Sequence, residues 1–144
     1  MRPLAPAACL AALLALSACM TAEERSERAA NDAAAATLDA SGQRYGDGAV
    51  KAGEPQNCLQ TIQIRTTRVR GDDVIDFETT GGRVYRNVLP NGCPSLGFEE
   101  RFSYKTSIAQ LCSVDIITVL RSPGLMPGPS CGLGSFQPIT EAPR

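Results

Sequence analysis

The chain has 144 residues, a formal net charge of −1, six cysteines and no histidine. So balanced a charge excludes the strong basic excess that a nucleic-acid partner calls for. Without histidine the commonest general base near neutral pH and the commonest metal ligand are missing. Ser-His-Asp and Cys-His nucleophile systems are therefore excluded within this chain.

Residues 1–18 read as an export signal. Arg2 supplies the positive end, and residues 4–16 are almost all Ala and Leu, broken by Pro6 and Cys9. That run suits the apolar region of a signal peptide and falls short of the roughly 20 residues of a membrane-spanning helix. It ends in Leu16-Ser17-Ala18-Cys19, which looks like a bacterial lipobox. Small side chains let an extended backbone enter a signal peptidase, and only a thiol takes a thioether-linked diacylglyceryl group. One acyl chain anchors marginally at about 0.8 kcal/mol per buried methylene, whereas two or three hold firmly. Lipidation at Cys19 and a membrane anchor facing the periplasm are expected. Met20 follows the cysteine and permits sorting to the outer membrane.

Removing residues 1–18 takes away one of the 14 basic residues, Arg2, and none of the 15 acidic ones, leaving a formal charge of −2. Besides Cys19 the exported chain keeps Cys58, Cys93, Cys112 and Cys131. An even set in a small exported domain implies two disulfides. Zinc is disfavoured, since no Cys-x-x-Cys pair and no histidine exist. Sequence alone does not fix the pairing; a nested arrangement, Cys93 with Cys112 and Cys58 with Cys131, is the expectation.

Residues 19–56 read as the lipidated N-terminus and a spacer. Thr21 and Glu24 suit a capping box, and alanine favours helix. Leu38 is the only large apolar residue between 21 and 40, so no face is available to bury. The Gly- and Pro-containing stretch 41–56 reads as linker. From residue 57 the texture turns to β. Leu59, Ile62 and Ile64 open a first strand that continues through 66–70. Residues 74–79 alternate, with Ile75, Phe77 and Thr79 on one side and Val74, Asp76 and Glu78 on the other. Gly81-Gly82 is a hairpin turn. Residues 83–89 return, Val84, Arg86 and Val88 opposing Tyr85, Asn87 and Leu89.

Further on, 98–104 is expected to bring Phe98, Phe102 and Tyr104 to the core. Residues 114–120 read as a strand that is central or covered on both sides. The Pro- and Gly-rich stretch 122–130 reads as a surface loop, and a last short strand lies within 133–139. The result is a mainly β domain over 57–140, a small antiparallel barrel or sandwich with two disulfides, followed by a tail at 141–144.

Ile75-Asp76-Phe77, Val84-Tyr85-Arg86-Asn87, Cys93-Pro94-Ser95-Leu96-Gly97-Phe98, Leu111-Cys112-Ser113-Val114-Asp115 and Cys131-Gly132-Leu133 resemble an uncharacterised family of small proteobacterial exported lipoproteins. The resemblance implies an envelope location and a disulfide role for the cysteines, and it brings no activity with it.

The remaining chemistry is sparse. Asp76 and Glu78 share a strand face beside Asp72 and Asp73, a conceivable carboxylate pair for a hydrolase. A solvated face balanced by Arg83 and Arg86 on the neighbouring strand is the favoured alternative. Arg65, Arg68, Arg70, Arg83 and Arg86 form a local basic set, and Arg68, Arg70, Arg83 and Arg86 are candidates for meeting phosphate or anionic lipid. Cys131-Gly132-Leu133-Gly134 lacks the lysine of a phosphate loop, and neither catalytic residue, metal nor cofactor is expected. The reading is a binding or structural module of the cell envelope that engages an envelope protein or polymer. The alternatives are a carboxylate-dependent hydrolase and an inhibitor presenting the 122–130 loop.

Overall fold

The structure, a computed structural model, describes residues 21–141. The signal segment, Cys19 and most of the tail lie outside the described residues. Thr21 caps α1 (Ala22–Ala34) through the expected reciprocal box with Glu24. There follow β1 (Val50–Lys51), β2 (Cys58–Gln60), a single 3-10 turn at Thr61–Gln63, β3 (Ile64–Arg70), β4 (Val74–Thr79) and β5 (Val84–Val88). Then come α2 (Leu96–Glu99), β6 (Phe102–Tyr104), β7 (Gln110–Cys112), β8 (Ile116–Arg121), β9 (Met126–Gly132) and β10 (Phe136–Thr140).

The expected mainly β, antiparallel architecture with two disulfides is what the chain adopts. The strands form a five-stranded sheet in the order β1-β10-β5-β4-β3, a three-stranded sheet β6-β8-β9 and a two-stranded ribbon β2-β7. One face of the large sheet carries Ile75, Phe77, Tyr85 and Phe136 into a core shared with Ile117 and Val119 of the small sheet and Leu59 and Leu111 of the ribbon. Phe77 stacks edge-on against both Phe102 and Phe136. The β4–β5 hairpin keeps the alternation read from the sequence, with Asp76 opposite Arg86 and Phe77 opposite Tyr85. Gly82 sits at φ 76°, where a side chain would be strained, and the Thr79 amide donates to the Arg83 carbonyl to close the turn.

Several expectations are corrected. The disulfides join Cys58 to Cys112 and Cys93 to Cys131, not the nested pairs. Cys58 and Cys112 face one another in the β2–β7 register, which decides the partner. The 122–130 stretch is mostly strand. Pro127 and Pro129 lie in β9, an edge strand that needs no amide on its open side. Strand β8 is the central strand of its sheet, one of the two alternatives read from the sequence, but it is not covered on both faces: Ile117 and Val119 are buried, while Ile116 is exposed. Phe98 stands in solvent, because the 96–99 segment coils into α2 and points Leu96 inward instead.

The 41–56 stretch is not a free linker. Tyr45 and Ala49 are buried against Ile139, Val84 and Val88, forming a second small core on the outer face of the large sheet. β1 extends the sheet along β10, and Gln56 and Phe136 exchange backbone hydrogen bonds. The segment that was to be a spacer is a third layer of the fold.

Exposure separates the two disulfides. Cys93 is 1% exposed although its partner Cys131 is half-buried, whereas Cys58 and Cys112 are both half-buried, so either sulfur of that bridge can be reached. Exchange requires a thiolate to reach a sulfur, so graded dithiothreitol followed by alkylation and mass mapping is expected to open Cys58–Cys112 first. Simultaneous opening, or Cys93–Cys131 first, contradicts this ordering.

Candidate functional site

Two polar constellations on the β4–β5 hairpin compete for functional attention, one on each face. The first surrounds Arg86, which is fully buried. Its Nε and Nη2 donate to Asp76 Oδ1 and Oδ2 at 2.8 and 2.9 Å. Its Nη1 and Nη2 donate to Asp47 Oδ1 and Oδ2 at 3.0 and 2.8 Å. Nη1 also donates to the Ala35 carbonyl at 3.2 Å. Every N–H of the guanidinium fork is thereby used. The Tyr45 ring lies 4.7 Å from Cζ and adds a cation–π contact.

Arg70 completes the network. Its Nε donates to Asp76 Oδ2 at 3.2 Å, and its Nη atoms lie 3.5 Å from Asp32 and 3.6 Å from Glu141. Burial pushes the Asp47 carboxyl up, but hydrogen bonds from Arg86 and the Ala49 amide, with the Arg86 and Arg70 charges, outweigh it. The net effect holds Asp47 below its ordinary range. Burial disfavours the Arg86 cation, and the bonds to Asp76 and Asp47 more than reverse that, so it stays protonated at every accessible pH.

This constellation is structural. Asp76 is 2% exposed, not on a solvated face, and its two oxygens are occupied by two arginines. Glu78 is engaged separately by Arg65 at 2.9 Å. A nucleophile or general base must be able to reach a substrate, and these carboxyls are spent on guanidinium groups. Asp47, Tyr45 and Ala35 were hidden from sequence reasoning because they sit in the presumed spacer. The signal that could have found them is a tyrosine and an aspartate amid small residues, at Tyr45-Gly46-Asp47-Gly48-Ala49.

The basic set also dissolves. Arg86 is sealed, Arg70 belongs to the same network, and Arg68 bonds Glu141 at 2.7 Å. Arg83 differs from these: it makes no side-chain hydrogen bond or ion pair among the described residues.

Arg83 belongs to the second constellation. Alternation along the hairpin puts Thr79, Arg83 and Tyr85 on the core-facing side, at the end of the core where the Gly81-Gly82 turn opens to solvent. A cavity of about 290 Å³ lies there, lined by Gln63, Thr79, Thr80, Gly81, Arg83 and Tyr85. Tyr85 is only 5% exposed. Its hydroxyl has no hydrogen-bond partner among the described residues, and it is not sealed from the surface. The Thr79 hydroxyl is already donating to the Arg83 carbonyl. An adjoining groove of about 670 Å³ shares Arg83 and Tyr85 and runs past Gly53, Gln56, Pro138 and Glu141. The arrangement offers one guanidinium and several hydrogen-bonding groups on a largely pre-formed concave surface.

Comparison with protein-family models, with curated proteins and with solved structures found nothing that matches this chain.

Proposed function

We propose that the protein is a lipid-anchored binding module of the bacterial cell envelope, tethered through Cys19 and facing the periplasm from the outer membrane. The observation that carries this reading is the way the body is fastened to the segment beside the lipobox. Helix α1 starts at Ala22, three positions after Cys19, and the chain that follows it is clamped by Arg86 through Asp47 and the Ala35 carbonyl. At about 1.5 Å per residue a helix of this length spans roughly 20 Å. The helix lies along the end of β3, its Glu24, Arg28 and Asp32 sharing a surface groove with Arg68 and Arg70, so a rigid domain fastened close to its anchor suits a module presenting a fixed surface to an envelope component. The buried, arginine-bound state of Asp76 and Asp47 weighs against the hydrolase alternative.

The test is fractionation of cells expressing the full-length chain. The wild type is expected in the membrane pellet, resisting salt and carbonate washes and released by detergent. Cys19→Ala is expected in the soluble fraction. Retention of Cys19→Ala on the membrane overturns the anchor.

A further inference from the structure

We infer that the cavity at the end of the β4–β5 hairpin is a binding site for one anionic residue of a saccharide chain, with Arg83 pairing the anion and the Tyr85 hydroxyl bonding it or a neighbouring sugar oxygen. The inference rests on the reading of the chain as an envelope binding module and names the class of component it engages.

Three observations converge on it. The first is charge: the six residues lining the cavity include one cation, Arg83, and no carboxylate. The arginines of β3 and β5 are each committed to an acidic partner, whereas Arg83, just before β5, is the cavity's own guanidinium and is open to an external anion. Its planar fork matches the two oxygens of a carboxylate or phosphate.

The second observation is Tyr85. A tyrosine buried to this degree normally finds a partner for its hydroxyl. Here the ring packs in the main core while the hydroxyl has no protein partner and stays open to the surface. It can donate one hydrogen bond and accept another, which suits a sugar hydroxyl or an anion oxygen.

The third is the lining itself. Gln63 and Thr80 add further hydrogen-bonding groups, and no aliphatic side chain lines the cavity. An apolar ligand or a protein hot spot would look for buried aliphatic and aromatic contact area, which this site does not offer. The volume of about 290 Å³ lies at the small end for ligand sites and suits one sugar residue. The adjoining groove leaves room for a polymer to continue, its neutral stretch passing Glu54 and Glu141.

The chemistry fits a sugar carboxylate or a sugar phosphate, and the experiment separates them. The full-length chain, expressed with its own leader and purified in neutral detergent, is titrated with glucuronate, glucose 6-phosphate and glucose. Binding is followed by isothermal titration calorimetry, whose signal does not depend on Tyr85, the only tyrosine lining the cavity. A saturable response is expected to at least one anionic sugar and not to glucose over the same range. The tighter of the two identifies the anion.

Arg83→Gln is expected to weaken binding by roughly tenfold or more, and Tyr85→Phe, which keeps the ring in the core, by several-fold. Arg65→Gln, a change at an exposed arginine outside the cavity, is expected to leave the affinity unaltered. No saturable response to either anion, an unchanged Arg83→Gln protein, or an equal loss in Arg65→Gln overturns the site. Membrane retention through Cys19 is read separately, so failure of the site and failure of the anchor are distinguishable.

Discussion

Replacing Arg86 by methionine is expected to destabilise the domain by about 3–5 kcal/mol, the cost of leaving buried charges without their partner. Two carboxyls, Asp76 and Asp47, lose the cation that both of them grip, and the Ala35 carbonyl loses a donor. Arg70 still reaches Asp76, which keeps the penalty from rising further. Against a total stability of roughly 5–15 kcal/mol for a small domain, the variant sits near the edge of folding. A drop in melting temperature on the order of 10–20 °C is the expected readout.

The loss should be selective before it is global. Residues 35–49 are held to the large sheet by Arg86 and by the small core of Tyr45, Ala49 and Ile139. In Arg86→Met that layer should loosen first, opening the exposed Arg44 bond to trypsin and speeding exchange of the Ala49 amide while the Phe77 amide stays protected. Arg86→Met combined with Asp47→Asn should recover part of the deficit, because neutralising the orphaned charge removes much of the penalty. A strictly additive double variant, or an Arg86→Met protein as stable as wild type, contradicts the clamp.

The pH dependence has a definite sign. In the wild type the Asp47 carboxyl is held below its unfolded value. Its contribution is therefore present above the unfolded carboxylate range near pH ~4 and is lost as pH falls through the lower folded value. In Arg86→Met the burial that raises Asp47 is no longer opposed by that guanidinium, so neutral Asp47 is favoured. The variant then loses stability as pH rises. The gap between the two proteins is expected to be widest near pH 7 and to narrow toward pH 4. A constant gap would mean that Arg86 acts by packing alone.

The β4–β5 hairpin was legible because two independent signals agreed, a two-residue alternation on either side of Gly81-Gly82. The pairing of Asp76 with Arg86 follows from that register. That the pair is buried could not be read from it. A charged residue on the polar side of an alternating strand looks solvated, and the layer that covers it comes from Ala35, Tyr45 and Ala49, far away in sequence and with little apolar content. Strand β9 was hidden for a related reason. Pro127, Gly128 and Pro129 argue against a strand unless the strand lies at an edge, and edge position is a tertiary property. Arg83 stood among the sequence candidates; its separation from the other arginines depends on which carboxylates fold next to them. Tyr85 stood on the strand face opposite Arg86, and its free hydroxyl shows only once the end of the core is assembled.

Removing the Cys93–Cys131 bridge by a double change to alanine is expected to cost about 3–5 kcal/mol, and removing Cys58–Cys112 in the same way about 2 kcal/mol. Chain entropy alone predicts the opposite order. The Cys58–Cys112 loop is longer, with a sequence separation of 54 against 38, yet that difference is worth only about 0.3 kcal/mol. Packing decides the matter. Cys93 is buried in the main core with Leu96, Leu133 and Phe136, so its truncation leaves a cavity costing on the order of 1 kcal/mol. Its bridge also joins the segment after β5 to β9, tying the large sheet to the small one across the core. Cys58 and Cys112 lie on strands that stay paired without them, through the ladder that sets the buried Leu59 opposite the buried Leu111. Urea midpoints of the two double variants check the order. A Cys58→Ala/Cys112→Ala protein less stable than its counterpart would mean that the ribbon, rather than the contact between the two sheets, is where this fold is weakest.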